Sequence, residues 1–533
     1  MPDAVVVGAG PNGLVAANHL ADHGWSVVVL EAEPEPGGAV RSGEITRPGF
    51  VHDRFSAFYP LAVASPALTG LRLTDYGLKW RHAPLVLAHP FQDGRCATIA
   101  RDEAVTAATA ASFSAADGPA WVAMMQQWDR VSEPLLGALL GPFPPVSHGL
   151  TLARRLKATG TLRLLRHTVL PVRRMAEELF GGEGARILLG GSALHADLCP
   201  EGAGSGLYGW MLSCLGQRHG FPVPEGGAGS LTRALVARLE AKGGKVECGR
   251  RVTRVVVEGG RAVGVETTGG DPTPARRAVL ADVSAPSLYL DLVDPGLLPP
   301  GLLADLQRFQ WDTATVKVDW ALSRPLPWSA PAAAEAGTVH IADDFDNLTE
   351  FAAHLAMGQL PARPFLLFGQ QSRADPSRSP VGTETAWAYT HVPRTIRGDA
   401  AGRIAVDPTT PAGAWLEPFA ERIEERVERL APGFRSTILG RHVAGPGDLQ
   451  GADANLHGGA IGGGTAQFHQ QLIFRPVPGT GRPETPIAGL YLASSSAHPG
   501  GGVHGAPGAN AARAALLGFQ RARAAVFGGG SRR

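Results

Sequence analysis

Only four cysteines occur in the 533 residues, Cys96, Cys199, Cys214 and Cys248, and no two form a CxxC pair. That scarcity and scatter exclude a disulfide scaffold and a structural zinc site. No excess of one charge exists either: 49 Lys and Arg face 48 Asp and Glu, for a formal net charge of +1. Nothing global therefore draws the chain to nucleic acid, and no nucleic-acid motif is present. No apolar run reaches the roughly 18 residues of a membrane span. Met1-Pro2-Asp3 leads straight into an apolar segment without a basic leader, so the cytosol is the expected location. Also missing are a Ser–His–Asp pattern on a nucleophile elbow and an HExxH helix. Hydrolase and metalloprotease chemistry are thus not expected, and neither is a metal. Glycine (69) and proline (43) are abundant instead. They predict a globular chain rich in turns and close backbone contacts, long enough for roughly two to four domains.

The apolar, β-branched run Ala4–Val7 reads as a buried parallel strand. Gly8-Ala9-Gly10-Pro11-Asn12-Gly13 follows at once, 14–23 reads as a helix stopped by Gly24, and 26–30 makes a second strand ending at Glu31. Each glycine has a physical reason. Gly8 permits a tight turn, Gly10 lets a pyrophosphate approach the backbone, and Gly13 lets helix and strand pack closely. The helix N-terminus would turn free N–H groups and its positive dipole end toward the phosphates, beside Pro11 and Asn12. Glu31 stands where a carboxylate accepts ribose hydroxyls, and its charge disfavours a 2′-phosphate. A glycine-rich chain produces GxGxxG by chance. Strand, glycines, helix, strand and acid in this order are what mark a dinucleotide site.

Just past Glu31, Gly37-Gly38-Ala39-Val40-Arg41-Ser42 resembles the GG-x-x-x-S/T element of large flavoproteins, which favours FAD over NAD. Near the far end, 485–493 reads as a turn leading into a strand, followed by the glycine-rich 494–505 and a helix over 506–525. No second GxGxxG follows a strand, so stoichiometric NAD(P)H use is not expected. Together these features resemble the phytoene desaturase family of FAD-dependent oxidoreductases, within the amine-oxidase-like flavoprotein superfamily, over nearly the whole chain. The resemblance is carried by GAGPNG with Glu31 and Gly37-Gly38, by the block 224–282, and by His498-Pro499-Gly500-Gly501-Gly502. The blocks 458–464 and Phe474-Arg475-Pro476-Val477-Pro478-Gly479 resemble the branch that contains pyridine nucleotide-disulfide oxidoreductase domain-containing protein 2.

The resemblance implies an α/β fold: a Rossmann-type FAD-binding domain with a parallel sheet and glutathione-reductase-like topology, and an inserted α+β substrate or cap domain. The first is expected from 1–80, 222–300 and 455–527, the second from 81–221 and 301–454, with a flexible tail at 528–533. It implies non-covalent FAD held by Gly8, Gly10, Pro11, Asn12, Gly13, Glu31, Gly37, Gly38, Arg41, Ser42, Val252, Ser495, Gly502, Val503 and His504. Val252 would meet the adenine through its backbone. Ser495 stands where most of the superfamily has an acid for a ribityl hydroxyl, and the amides near Val503 and His504 would face the flavin pyrimidine.

Within the second domain, 313–320 and 385–391 alternate as half-buried strands, which offers Trp387, Tyr389 and His391 as pocket walls. His504 and His498 are the titratable residues nearest the expected flavin, hence candidate proton acceptors. Between Leu135 and Ala176 no acid occurs, while Arg154, Arg155, Lys157, Arg163, Arg166, Arg173 and Arg174 interleave with leucines. Such a basic amphipathic stretch over 151–175 suits contact with an anionic bilayer, or is simply a solvated cap helix. The expected partner is a small apolar or lipid-like substrate, with the electron acceptor open. An FAD-dependent dehydrogenase or desaturase is the leading function. A flavin-binding scaffold or chaperone without turnover and a flavin amine oxidase are the alternatives.

Overall fold

The computed structural model describes residues 1–406 and 413–528. Ala4–Val7 is a strand, as its branched residues predict, at the centre of a five-stranded parallel sheet. Val27–Leu30 and Ala278–Ala281 flank it, Lys245–Glu247 lies outside the first and Leu490–Leu492 outside the second. Alternate residues of the central strand serve opposite cores. Ala4 and Val6 pack with Leu14, Leu20, Leu235 and Ala512 beneath the helices Pro11–Asp22, Gly229–Ala241 and Ala506–Gly528. Val5 and Val7 pack with Val255 and Val265 of an antiparallel pair, Val252–Glu258 and Arg261–Thr267. Burial on both faces explains why this strand reads as an unbroken apolar run.

Element ends differ from the sequence expectation for local reasons. The first helix begins at Pro11 rather than at residue 14, because proline's fixed φ suits the first helical position, where no N–H partner is needed. The second strand begins at Val27, since the Ser26 amide and hydroxyl both donate to Asp3. The last helix runs to Gly528, so that residue is helical rather than part of a tail. The remaining tail positions, 529–533, lie outside the described residues.

The second sheet has seven strands. In order they are Ile438–Ala444, Ala314–Leu322, Glu384–Val392, Leu366–Gly369, Ala336–Ile341, Leu85–Pro90 and Cys96–Ile99. Ala314–Leu322 is buried at every position and Glu384–Val392 at every position but Tyr389, not half-buried as their alternation predicts. One face (Val316, Val318, Trp320, Ala386, Ala388) packs under Phe419, Ile423 and Val427 of the helix Leu416–Leu430. The opposite face is covered as well, so its polar alternation marks a lined interior rather than a wet surface. A helical layer between 103 and 219 closes this body around Trp121, Trp128, Trp210 and Phe180.

The basic stretch is not one helix. Val146–Val169 is broken at Lys157, whose φ is 56°, and ends before Pro171; Val172–Leu179 then starts anew. Among the described residues, no helix is long and apolar enough to cross a membrane. All strands of the parallel sheet come from 1–80, 222–300 and 455–527, and all strands of the seven-stranded sheet from 81–221 and 301–454.

Candidate cofactor cleft and active site

A cleft of about 400 Å³ opens where the parallel strands end. Gly8, Gly10, Pro11 and Asn12 line it at the first strand's end, Glu31 and Glu33 at the second's, and Asp282 at the Ala278–Ala281 strand. Switch points of parallel sheets place ligands here, beside helix N-termini. The helix Pro11–Asp22 has Gly10 as its N-cap, no side-chain cap and no acid in its first turn, which leaves amides and the dipole for an anion. Gly8 has φ +94°. A Cβ on Gly10 would come within 2.6 Å of Asp282 Oδ2, and one on Gly13 would overlap the Gly8 carbonyl oxygen. The helix and strand can therefore approach this closely only with glycine at both positions.

Glu31 is buried and fixed. Its Oε2 accepts from Ala9 N at 2.8 Å and its Oε1 from Glu33 N at 2.9 Å, which aims the carboxylate along the cleft end shared with Arg250, Arg251 and Val252. Gly38 and Arg41 line the middle, with Arg41 Nε donating to Gly38 O at 2.9 Å. Ser495, Gly500, Gly501, Gly502 and Val503 form the other end. The sequence-predicted residues thus meet at one cleft, with five exceptions that lie behind its wall. Gly13 packs against Gly8, and the Gly37 amide donates to Ala9 O. Ser42 donates to Asp53 Oδ1 and accepts from Gly229 N, so it braces the hairpin instead of facing the cleft.

His498 and His504 are the other two. His504 Nδ1 accepts from Ala506 N at 3.2 Å, and Nε2 meets Gly501 O at 3.2 Å. Both ring nitrogens are thus spent on the entry to the last helix, and burial pushes the ring down to about 4. His498 Nε2 meets Gly141 O at 3.1 Å, and burial likewise holds that ring at about 4. The geometry gives His504 to loop structure, whereas His498 Nδ1 is buried without a partner.

Asp282 is a cleft residue that the sequence reading assigned no role. Its Oδ2 accepts from Gly13 N at 2.8 Å; burial, with Asp453 and Glu31 nearby, pushes it up to about 7 against that hydrogen bond. The signal for it was its place at the end of an apolar strand.

Trp387, Tyr389 and His391 project from one face of their strand, opposite Asp319, Lys317 and Thr315 in register. The Trp387 and Tyr389 rings lie 5.9 Å apart at 12°, and Lys317 Nζ sits 5.8 Å from the Trp387 ring. Lys317 pairs with Asp319, and His52 Nδ1 is 3.5 Å from Asp319. Burial works to raise Asp319, but Lys317 and His52 outweigh it and hold the carboxyl below its ordinary range. His391 Nδ1 meets the Thr315 hydroxyl at 3.3 Å, its Nε2 is buried without a partner, and burial lowers its pKa. Phe58 joins this face to the cleft: its ring is 5.9 Å from Trp387, while its neighbour Leu61 would stand 2.7 Å from a Cβ on cleft-lining Gly502.

A model of the family described as "Flavin containing amine oxidoreductase" matches residues 12–516. Pyridine nucleotide-disulfide oxidoreductase domain-containing protein 2 of Rattus norvegicus is 30% identical over 555 aligned residues, covering 96% of this chain and 92% of that protein. Phytoene desaturase (neurosporene-forming) of Rhodobacter capsulatus is 25% identical, covering 94% and 91%. Among solved structures, an oxidoreductase from Methanosarcina mazei superposes with a TM-score of 0.62 at 16% identity, over 96% of this chain and 99% of that one, which is a likeness of fold.

Proposed function

This chain belongs to the flavin-containing amine oxidoreductase family, and from that premise we propose that it is a dehydrogenase or desaturase acting on a mostly apolar substrate. Its cofactor is FAD. The cleft fits that group: a glycine-rich turn and helix start for the diphosphate, a buried carboxylate at the ribose position, and main-chain amides with Ser495 at the other end. When bound, FAD supplies the hydride acceptor, and oxygen, a quinone or another acceptor takes the electrons onward. In this reading the parallel-sheet body holds the cofactor and the seven-stranded body holds the substrate.

The observation that carries the substrate class is an apolar cluster whose Leu61 reaches cleft-lining Gly502. Phe58, Leu61, Trp387 and Tyr389 offer apolar and aromatic surface there, which positions an uncharged chain and excludes water. A substrate that loses hydride from one carbon must lose a proton from its neighbour. His391 is our choice for that proton, since its Nε2 is free to accept and burial keeps the ring neutral. His504, with both ring nitrogens engaged, keeps a structural role.

The helix Val146–Val169 supports an origin of such a substrate in a bilayer. Leu162 (67%), Leu165 (56%) and Val169 (52%) stand exposed beside the exposed cations Arg154, Lys157 and Arg163. Apolar side chains flanked by positive charge suit an anionic membrane surface. The Trp387 and Tyr389 rings favour one second reading, amine oxidation, because aromatic faces attract a cationic substrate.

The deciding experiment is anaerobic mixing of the yellow holoprotein with lipids, polyenes and amines in turn. Bleaching by an apolar substrate supports the proposal. Reduction with peroxide release by amines alone replaces it with amine oxidation, and bleaching by none leaves a flavin-binding scaffold.

A further inference from the structure

Arg475, in the block Phe474-Arg475-Pro476, has no part in the contacts described above. It is 1% exposed, and its hydrogen bonds all end on main-chain carbonyls. Nη2 donates to Ser495 O at 2.7 Å and Gly462 O at 3.0 Å, Nη1 to Thr465 O at 2.9 Å, and Nε to Ser495 O at 3.1 Å. Two segments are tied together in this way, 461–465 and the turn that follows the last strand. Both line the cleft, through Ile461, Gly463, Ser495 and Gly500. A Cβ on Gly500 would lie 3.4 Å from Arg475 Cζ, so the guanidinium is one layer behind the cleft wall.

Asp312 holds the same glycine segment by its amides. Its carboxylate accepts from Ile461 N and Gly462 N at 2.7 Å and from Gly464 N at 3.0 Å. The segment is thus gripped by an anion on its N–H groups and a cation on its carbonyls. Gly463 in turn nests against Ser495, where any Cβ would overlap the Ser495 hydroxyl. Burying a guanidinium without a hydrogen-bonded carboxylate is costly. Burial pushes Arg475 down only to about 10, with Tyr208 and Asp312 pulling upward, so it is charged at neutral pH. Glu31 and Val252 occupy the adenosine end of the cleft, which leaves the flavin ring for the end that Arg475 backs.

We infer, resting on the FAD reading above, that Arg475 is a positioning residue for the flavin end of the cofactor. It locks the two loops in register and places a fixed positive charge behind them that favours the electron-rich reduced ring.

The test uses the full chain reconstituted with FAD and reads the midpoint potential, the affinity for sulfite and the FAD Kd. Arg475→Gln removes the charge, Arg475→Lys keeps the charge but loses the fork, and Asp312→Asn removes the opposing charge while keeping an amide oxygen for the loop. Arg475→Gln is expected to lower the potential and weaken sulfite binding about tenfold, whereas Asp312→Asn raises the potential and tightens sulfite. Arg475→Lys weakens FAD binding about tenfold with a potential near that of the parent. Loop damage alone would move the Gln and Asn variants in the same direction, and that result overturns the inference. An unshifted potential in Asp312→Asn overturns it as well, even if Arg475→Gln fails to fold. A parent chain that takes up no flavin would instead remove the cofactor reading itself.

Discussion

The Gly13 amide donates to Asp282 Oδ2 at 2.8 Å, so a carboxylate from one strand closes the first turn of the helix that follows another. Asp282 is buried at the cleft wall and pushed up to about 7 by burial first, against that hydrogen bond. Its folded pKa lies above its unfolded one, so the folded state holds the extra proton and ligand-free stability falls as pH rises between about 4 and 7. Asp282→Asn should remove this part of the slope and stabilise the apoprotein by about 2–3 kcal/mol at pH 8. Urea denaturation at pH 5 and pH 8 measures it. An unaltered slope in the variant would sink the assignment.

Gly13→Ala places a methyl group on the Gly8 carbonyl oxygen. The helix must shift away from the strand, at a cost of about 1–3 kcal/mol in stability. FAD affinity should fall about tenfold or more, because the amides at the helix start move with it. Fluorescence titration with FAD reads the loss, and parental affinity would contradict the close-approach argument.

His504 and His391 should separate cleanly. His504→Ala removes a bond to the last helix's first amide and costs about 1 kcal/mol in stability, with no change in the pH profile of flavin reduction. His391→Ala should slow reduction at least about a hundredfold, the usual scale for losing a general base. In the parent the ring must be neutral to accept a proton. Burial lowers its pKa, against Asp312 and the Ala314 backbone, so reduction should stay level through pH 6.5 and decline only in more acidic buffer. Equal effects of the two substitutions would refute this division of roles.

FAD should leave when the protein is denatured in acid. Cys96, Cys199, Cys214 and Cys248 are all outside the cleft lining, and neither His498 nor His504 faces it. Yellow colour remaining on the precipitated polypeptide would show a covalent link.

Sedimentation with vesicles tests the exposed helix. Binding to anionic vesicles should exceed binding to neutral ones and weaken in high salt. Leu162→Glu with Leu165→Glu should abolish it without altering the visible spectrum. Equal binding to neutral vesicles, or none at all, refutes an electrostatic and apolar membrane contact.

The cofactor half was legible because its signals are local. Gly8, Gly10 and Gly13 sit within one turn between a strand and a helix, and backbone atoms restrict Gly8 and Gly13 to glycine while the Asp282 carboxylate crowds Gly10. Glu31 follows from where the next strand ends. The direction of the loop histidines was not legible in this way. His504 stands next to the glycine loop in sequence, yet both its nitrogens turn to Ala506 and Gly501. Direction of a ring is set by packing, not by chain position. The half-buried expectation for 313–320 failed for a related reason: alternation reports two different faces, and here both are covered.

Order along the chain, apolar runs and glycine spacing were enough to determine a dinucleotide-binding sheet, since each depends on a few neighbouring residues. Tertiary structure alone decided that Asp282 meets Gly13 and that Asp312 and Arg475 grip one loop. Those pairings join residues distant in sequence, and only the folded chain brings their charges within reach.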